Sequence, residues 1–175
     1  MRLFIAIPLS DRIRTSLADY QETLRAAGVT GSWSPTENLH LTLAFIGEYG
    51  EPDEILDAVS AVSFESFDLH VSGTGSFSDT LWAGIEKNEA LEKLVRNVRR
   101  SLADAGIPFD RKKFRPHITL ARRTSLPKGL SSLSAPGNSV MTVERFSLFR
   151  SDRGKLGMIY TELGRIPASP SAERK

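Results

Sequence analysis

The chain has 175 residues, 40% of them hydrophobic and 25% charged, with 13 Gly, 9 Pro and no Cys. That is the composition of an ordinary globular domain. The missing cysteines exclude a disulfide framework, thiolate metal sites, iron–sulfur clusters and a cysteine nucleophile. The net charge is only +2, but it is unevenly spread. Residues 37–92 carry one basic and twelve acidic side chains, whereas residues 93–123 carry ten basic and two acidic. The basic stretch, with Arg96, Arg99, Arg100, Arg111, Lys112, Lys113, Arg115, Arg122 and Arg123, is suited to attracting phosphates, although the same pattern also serves as a solvated helix face and polar loop.

In chain order, Arg2 to Pro8 reads as a strand, since Leu3, Phe4, Ile5 and Ile7 are β-formers in a short apolar run. The run is too short to span a bilayer and lacks a basic n-region, so neither a membrane span nor a signal peptide is read. Ser10 is placed to cap a helix to about Ala27, with Ile13, Leu17, Tyr20 and Leu24 on one face and Gly28 closing it. Ser32 to Asn38 reads as a connection and Leu39 to Ile46 as a strand. Pro52 opens a short helix to about Val62.

Phe67 to Val71 alternates as a half-buried strand, and Leu81 to Glu86 is another. Asn88 caps a helix to about Ala105 with a stripe of Leu91, Leu94, Val95, Val98 and Leu102, stopped by Gly106. Pro116 to Arg122 is a strand and Ser125 to Ser139 a long loop. Val140 to Phe149 and Met158 to Leu163 read as two strands paired through a turn at Ser151–Gly157. Seven strands and three helices in mixed order argue for an α+β fold with helices packed on antiparallel sheet. The folded body is placed at residues 1–165, with 166–175 as a flexible tail.

Two strands carry nearly the same word: His40-Leu41-Thr42-Leu43-Ala44 and His117-Ile118-Thr119-Leu120-Ala121. Side chains alternate faces along a strand, so each word offers an apolar face to a core and an imidazole with a hydroxyl to the other side. Such a polar pair gains nothing from burial unless it is hydrogen-bonded. Its duplication, using two of the three histidines in the chain, points to one shared site. Two imidazoles flanking one phosphorus supply a general base for the nucleophile and a general acid for the departing oxygen near neutral pH. Thr42 and Thr119 supply donors to the non-bridging oxygens. Zinc usually takes three or four ligands, and no acidic residue sits in or beside either word, so a metal site ranks below. His70 lies outside both words and reads as a surface residue. Phe45 and Trp82 can stack a base, but aromatic residues in strands more often belong to the core.

The paired words, with Trp33-Ser-Pro-Thr-Glu-Asn-Leu-His40, Phe114-Arg-Pro-His117, the opening Met1-Arg-Leu-Phe-Ile-Ala-Ile-Pro8 and Leu81-Trp82-Ala-Gly84, resemble the 2H phosphoesterase superfamily, and within it the bacterial and archaeal 2′-5′ RNA ligase family, the RNA 2′,3′-cyclic phosphodiesterases. The resemblance covers roughly residues 1–165. It implies two pseudo-symmetric lobes of mostly antiparallel sheet with outer helices and a cleft between them. It implies hydrolysis of RNA 2′,3′-cyclic phosphodiester ends to 2′-phosphomonoesters, and reversible 2′-5′ joining of RNA, without ATP, metal or another cofactor. It also implies His40 as general acid on the leaving 3′ oxygen, His117 as general base on water, and Arg122 as a phosphate contact. The chain is further expected to be a cytoplasmic monomer without a membrane partner. The alternatives that stay open are a non-catalytic RNA- or nucleotide-binding module, and a phosphodiesterase for another small cyclic phosphate such as that of ADP-ribose.

Overall fold

The computed structural model describes residues 1–127, 135–137 and 139–170. Nine strands and three α-helices follow in the order β1 (Arg2–Pro8), α1 (Asp11–Ala26), β2 (Thr30–Trp33), a 3₁₀ turn at Thr36–Asn38, β3 (His40–Glu48), α2 (Pro52–Val59), β4 (Phe67–Phe77), β5 (Thr80–Ile85), α3 (Glu89–Asp104), β6 (His117–Ser125), β7 (Ser139–Val143), β8 (Arg145–Gly154) and β9 (Gly157–Pro167). They build two antiparallel sheets, ordered β3-β1-β8-β9 and β2-β6-β5-β4-β7. This is the expected α+β class. Among the described residues no helix is long and apolar enough to cross a membrane.

The chain traces one path twice. A strand, β1 or β5, leads into a sixteen-residue helix, α1 or α3, and the chain then returns as the word-bearing strand, β3 or β6, antiparallel to the first. Both helices start the same way. The Ser10 side chain accepts from the Ile13 amide at 3.3 Å, and the Asn88 side chain accepts from the Leu91 amide at 2.9 Å, each satisfying a donor that the first turn leaves unpaired. Both also end the same way, on a glycine in the left-handed region, Gly28 at φ 95° and Gly106 at φ 72°, where a side chain would be strained.

The apolar faces of the words close the core. Leu41, Leu43, Ile118 and Leu120 are fully buried, together with the predicted stripes of α1 and α3, and each large side chain contributes about 1.5–3 kcal/mol through burial.

Several boundaries differ from the sequence reading. The second helix ends at Val59, short of Val62, and the expected turn at Ser151–Gly157 is mostly strand, since β8 runs to Gly154 and β9 starts at Gly157. Thr30–Trp33 is an edge strand, because β6 supplies its ladder: Ser32 pairs with Arg122 and Trp33 with Ala121. β4 runs on to Phe77 through Gly73 and Gly75, paired with β5 in a hairpin. The stretch Val140 to Phe149 is two strands, since the chain changes sheets at Glu144, with β7 pairing β4 and β8 pairing β1. The fold also continues past residue 165. β9 runs to Pro167, the Ala168 amide donates to the Glu144 carbonyl, and Ser169 to that of Phe64, so backbone hydrogen bonds hold what was expected to begin the tail. The expected loop at 125–139 falls largely, and the last five residues of the tail wholly, outside the described residues.

Candidate active site

β3 and β6 each occupy a place beside the central strands of their own sheet and bring their polar faces to one cleft of about 770 Å³, lined by His40, Thr42, His117, Thr119 and Arg122. Along both words the burial alternates as expected: the His and Thr side chains are half-buried, and the residues between them fully buried.

The two imidazoles are fixed by the same device. His40 Nδ1 lies 2.6 Å from the Asn38 carbonyl, and His117 Nδ1 lies 2.6 Å from the Arg115 carbonyl. A carbonyl only accepts, so each Nδ1 carries hydrogen and donates, and in the neutral ring Nε2 is the lone pair. Each Nε2 is then the ring nitrogen able to take up a proton. His40 Nε2 accepts from the Thr42 hydroxyl at 2.9 Å. Aromatic rings wall both imidazoles. Tyr160 stands edge-on to His40 at 5.3 Å with Phe4 at 4.9 Å, and Phe77 stands edge-on to His117 at 5.1 Å with Trp82 at 6.3 Å. Burial lowers the His40 pKa below the ordinary imidazole value; the Asn38 carbonyl opposes this, and the charges of Arg122 and His117 add to it.

Arg122 reaches the cleft through a bulge. Strict alternation would put it on the apolar face with Ile118 and Leu120. The ladder to β5 pairs Trp82 with Thr119 and then Leu81 with Ala121, skipping Leu120. The extra residue turns Arg122 to the side of His117 and Thr119. β3 has the same bulge: Ala6 pairs with Thr42 and Ile5 with Ala44, skipping Leu43, and this turns Phe45 into the cleft.

Among the described residues no three His, Cys, Asp or Glu side chains cluster to hold a metal ion. The two words and Arg122 bring two imidazoles, two hydroxyls and a guanidinium to the cleft, a set that suits an anion, and Arg2, Arg153, Glu48 and Asp152 also line it.

A profile of the 2′-5′ RNA ligase superfamily matches residues 10–155. The chain belongs to this superfamily. An RNA 2′,3′-cyclic phosphodiesterase of Thermotoga maritima is 33% identical over 93% of both chains. One of Archaeoglobus fulgidus is 30% identical over 93% of this chain and 98% of its own. Among solved structures, Escherichia coli LigT in its apo form superposes with a TM-score of 0.84 at 27% identity, covering 97% of this chain and 98% of LigT. LigT complexed with 3′-AMP gives 0.82 at 28% with the same coverage.

Membership in the 2′-5′ RNA ligase superfamily accounts for the words but not for the walls around them. All five residues singled out from the sequence, His40, Thr42, His117, Thr119 and Arg122, meet in the cleft. His70 is exposed on β4, away from it. Phe45 and Trp82, read as core, are half-buried; Phe45 lines the cleft and Trp82 stands beside His117. Phe4, Tyr160 and Phe77 were not identified, and for Tyr160 no local signal exists, since β9 reaches His40 only through the sheet order. The carbonyls of Asn38 and Arg115 were legible in one respect: each lies two residues before its histidine.

Proposed function

We propose that this protein hydrolyses 2′,3′-cyclic phosphodiester ends of RNA to 2′-phosphomonoesters by acid–base catalysis between His40 and His117. The observation that carries this reading is the matched pair of imidazoles on one cleft, each with Nδ1 committed to a backbone carbonyl and Nε2 left for proton exchange.

His117 acts as the base. Its Nε2 has no hydrogen-bond partner among the described residues, so a water can occupy it. As that water attacks phosphorus, its proton passes to His117 Nε2, the P–O3′ bond breaks, and O3′ takes a proton from His40 Nε2. The 2′ oxygen keeps the phosphate. Burial holds the His40 pKa down, and an anionic phosphodiester against Nε2 opposes this by favouring the protonated ring, so substrate binding loads the acid. Thr42, Thr119 and Arg122 hold the non-bridging oxygens, where charge builds. The RNA 2′,3′-cyclic phosphodiesterases of T. maritima and A. fulgidus support the same substrate class.

The test is an RNA ending in a 2′,3′-cyclic phosphate, incubated with the protein and a chelator, with the product phosphate located. A 2′-phosphate is expected. A 3′-phosphate product, or none from folded protein, overturns the reading.

A further inference from the structure

With His117 on the attacking water and His40 on the departing O3′, the nucleoside that owns O3′ lies on the His40 side of phosphorus. A cavity of about 360 Å³ opens on that side. It shares His40, Thr119, Arg122 and Tyr160 with the cleft and adds a cation that does not line the cleft, Arg123. Consecutive residues of a strand ordinarily point to opposite faces. Arg122 and Arg123 line one cavity instead, and the reaction proposed above uses only the first.

The backbone explains how. Thr30 pairs with Ser125 and Ser32 with Arg122, so β6 takes three steps where β2 takes two. Arg123 is the left-handed residue of this second bulge, at φ 52°, a place that glycine ordinarily fills. The other non-glycine residue with positive φ among the described residues is Ser78, in the tight turn between β4 and β5. Glycine would serve the bulge with less strain, so the bulge alone does not account for an arginine. Arg123 Nη2 donates to the Ser32 hydroxyl at 2.8 Å, which aims the guanidinium without neutralising it, and the ion pairs among the described residues all involve other groups. Across the cavity, the Asn38 side-chain amide donates to the Met158 carbonyl at 2.8 Å and ties the approach to His40 to β9. Leu156, in the turn between β8 and β9, lines the same space yet is fully exposed. The cavity thus sets an aimed, uncompensated cation and an uncovered apolar rim beside the reacting phosphate.

We infer that Arg123 binds a phosphate carried on the 5′ oxygen of the terminal nucleoside, and so sets a preference for a nucleotide end over a bare nucleoside cyclic phosphate. The inference rests on the function proposed above. Arg122 holds the reacting phosphate, and Arg123, whose Cα lies about 3.8 Å further along the chain, holds the next one. The planar guanidinium fork matches phosphate oxygens, and the apolar rim at Leu156 takes the base of the same nucleoside. No bond is made or broken at Arg123, which is a specificity-determining residue and not a catalytic one.

The experiment compares kcat/KM for hydrolysis of three substrates: adenosine 2′,3′-cyclic phosphate, the same compound carrying a 5′-phosphate, and the dinucleotide ApA ending in a 2′,3′-cyclic phosphate. The second offers the 5′-phosphate as a monoester and the third as a chain linkage, so the two arms separate those sources. Wild-type protein is expected to favour at least one of them over the first by about tenfold, the scale of one charge-assisted hydrogen bond. Arg123→Gly is expected to abolish that preference. Glycine suits φ 52°, so the bulge is kept, and Arg123→Asn, which also tolerates the left-handed region, should give the same loss. A role confined to bracing β2 through Ser32 would lower all three rates together and leave their ratios intact, and that result overturns the inference. Wild-type protein that treats the three substrates alike overturns it too. Wild-type protein inactive on all three overturns the proposed function itself.

Discussion

Phe45 and Arg122 stand at the same place in two copies of one structural unit. Each is the fifth residue after its histidine, and each is turned into the cleft by a bulge at the leucine two residues before it, Leu43 or Leu120. The duplication therefore supplies matched imidazoles and hydroxyls but only one guanidinium. Phe45 instead offers a ring, over which the Arg2 guanidinium lies at 4.9 Å. The scaffold is thus symmetric, but the side chains at this pair of positions are not.

That asymmetry makes the first prediction. Arg122 is one of the charges that disfavour a proton on His40. Arg122→Ala should move the His40 titration upward, toward the ordinary value of about 6.5, as followed by NMR of the imidazole carbons. The same variant should lower kcat by about 10²-fold, the scale of losing one donor to a developing oxyanion. An unmoved titration would show that Arg122 points away from His40 in solution.

The histidines make the second. His40→Asn and His117→Asn should each lower kcat/KM on a cyclic phosphate by about 10²–10⁴-fold. His40→Asn should also change how stability depends on pH. The His40 pKa is lowered in the folded chain, first by burial, so below about 6.5 the unfolded chain binds a proton that the native ring resists. This contribution is intact above that pH and is lost as pH falls through the folded value. The stability of the wild type should therefore drop more than that of His40→Asn between pH 7.5 and 5 in thermal melts. Equal slopes would place His40 in a more solvated position.

Much of this site is legible from local pattern alone. The two words declare themselves by repetition, their alternation places His and Thr on one face, and the capping residues Ser10 and Asn88 fix the helices that follow β1 and β5. What is not legible comes from pairing across long separations. β2 holds Gly31 and Ser32, weak strand formers, and exists because β6 supplies a ladder. The change of sheet at Glu144 follows from which partners are free, not from the residues there. The bulges at Leu43 and Leu120 are properties of ladders, so strict alternation assigns Arg122 to the wrong face. Only the family resemblance brought Arg122 into the site.

Gln21 couples the two words, and it gives the third prediction. It is 4% exposed on an otherwise apolar helix face, and its Nε2 donates to the Ser34 and Leu120 carbonyls, each at 3.0 Å. Ser34 precedes the first word and Leu120 belongs to the second. Gln21→Leu keeps the bulk but removes the side-chain donor to the Ser34 carbonyl, while the Leu120 carbonyl keeps the Ser34 amide at 2.9 Å, at a cost of about 1 kcal/mol. The expected result is a lower Tm, by roughly 2–4 °C per kcal/mol for a chain of this size. An unchanged Tm would mean that water replaces the amide, and that the two words are held together by the sheets alone.

The wall behind His117 gives the fourth. Gly75 lies under the Trp82 indole, and a Cβ there would come within 2.3 Å of the ring. Trp82 in turn packs on Phe77 at 5.2 Å, and both contact His117. Gly75→Ala should therefore push the indole aside, cost about 1–3 kcal/mol as an overpacked site, change the near-UV circular dichroism of Trp82, and reduce turnover through a displaced His117. The companion change Trp82→Phe relieves the clash. It also sacrifices no hydrogen bond among the described residues, where the buried Trp82 Nε1 has no partner. In the double variant Gly75→Ala/Trp82→Phe the loss in stability should be smaller than the sum of the two single losses, the signature of groups in direct contact. Strict additivity would place the indole clear of Gly75, and this glycine would then not be what lets the tryptophan lie flat behind the His117 ring.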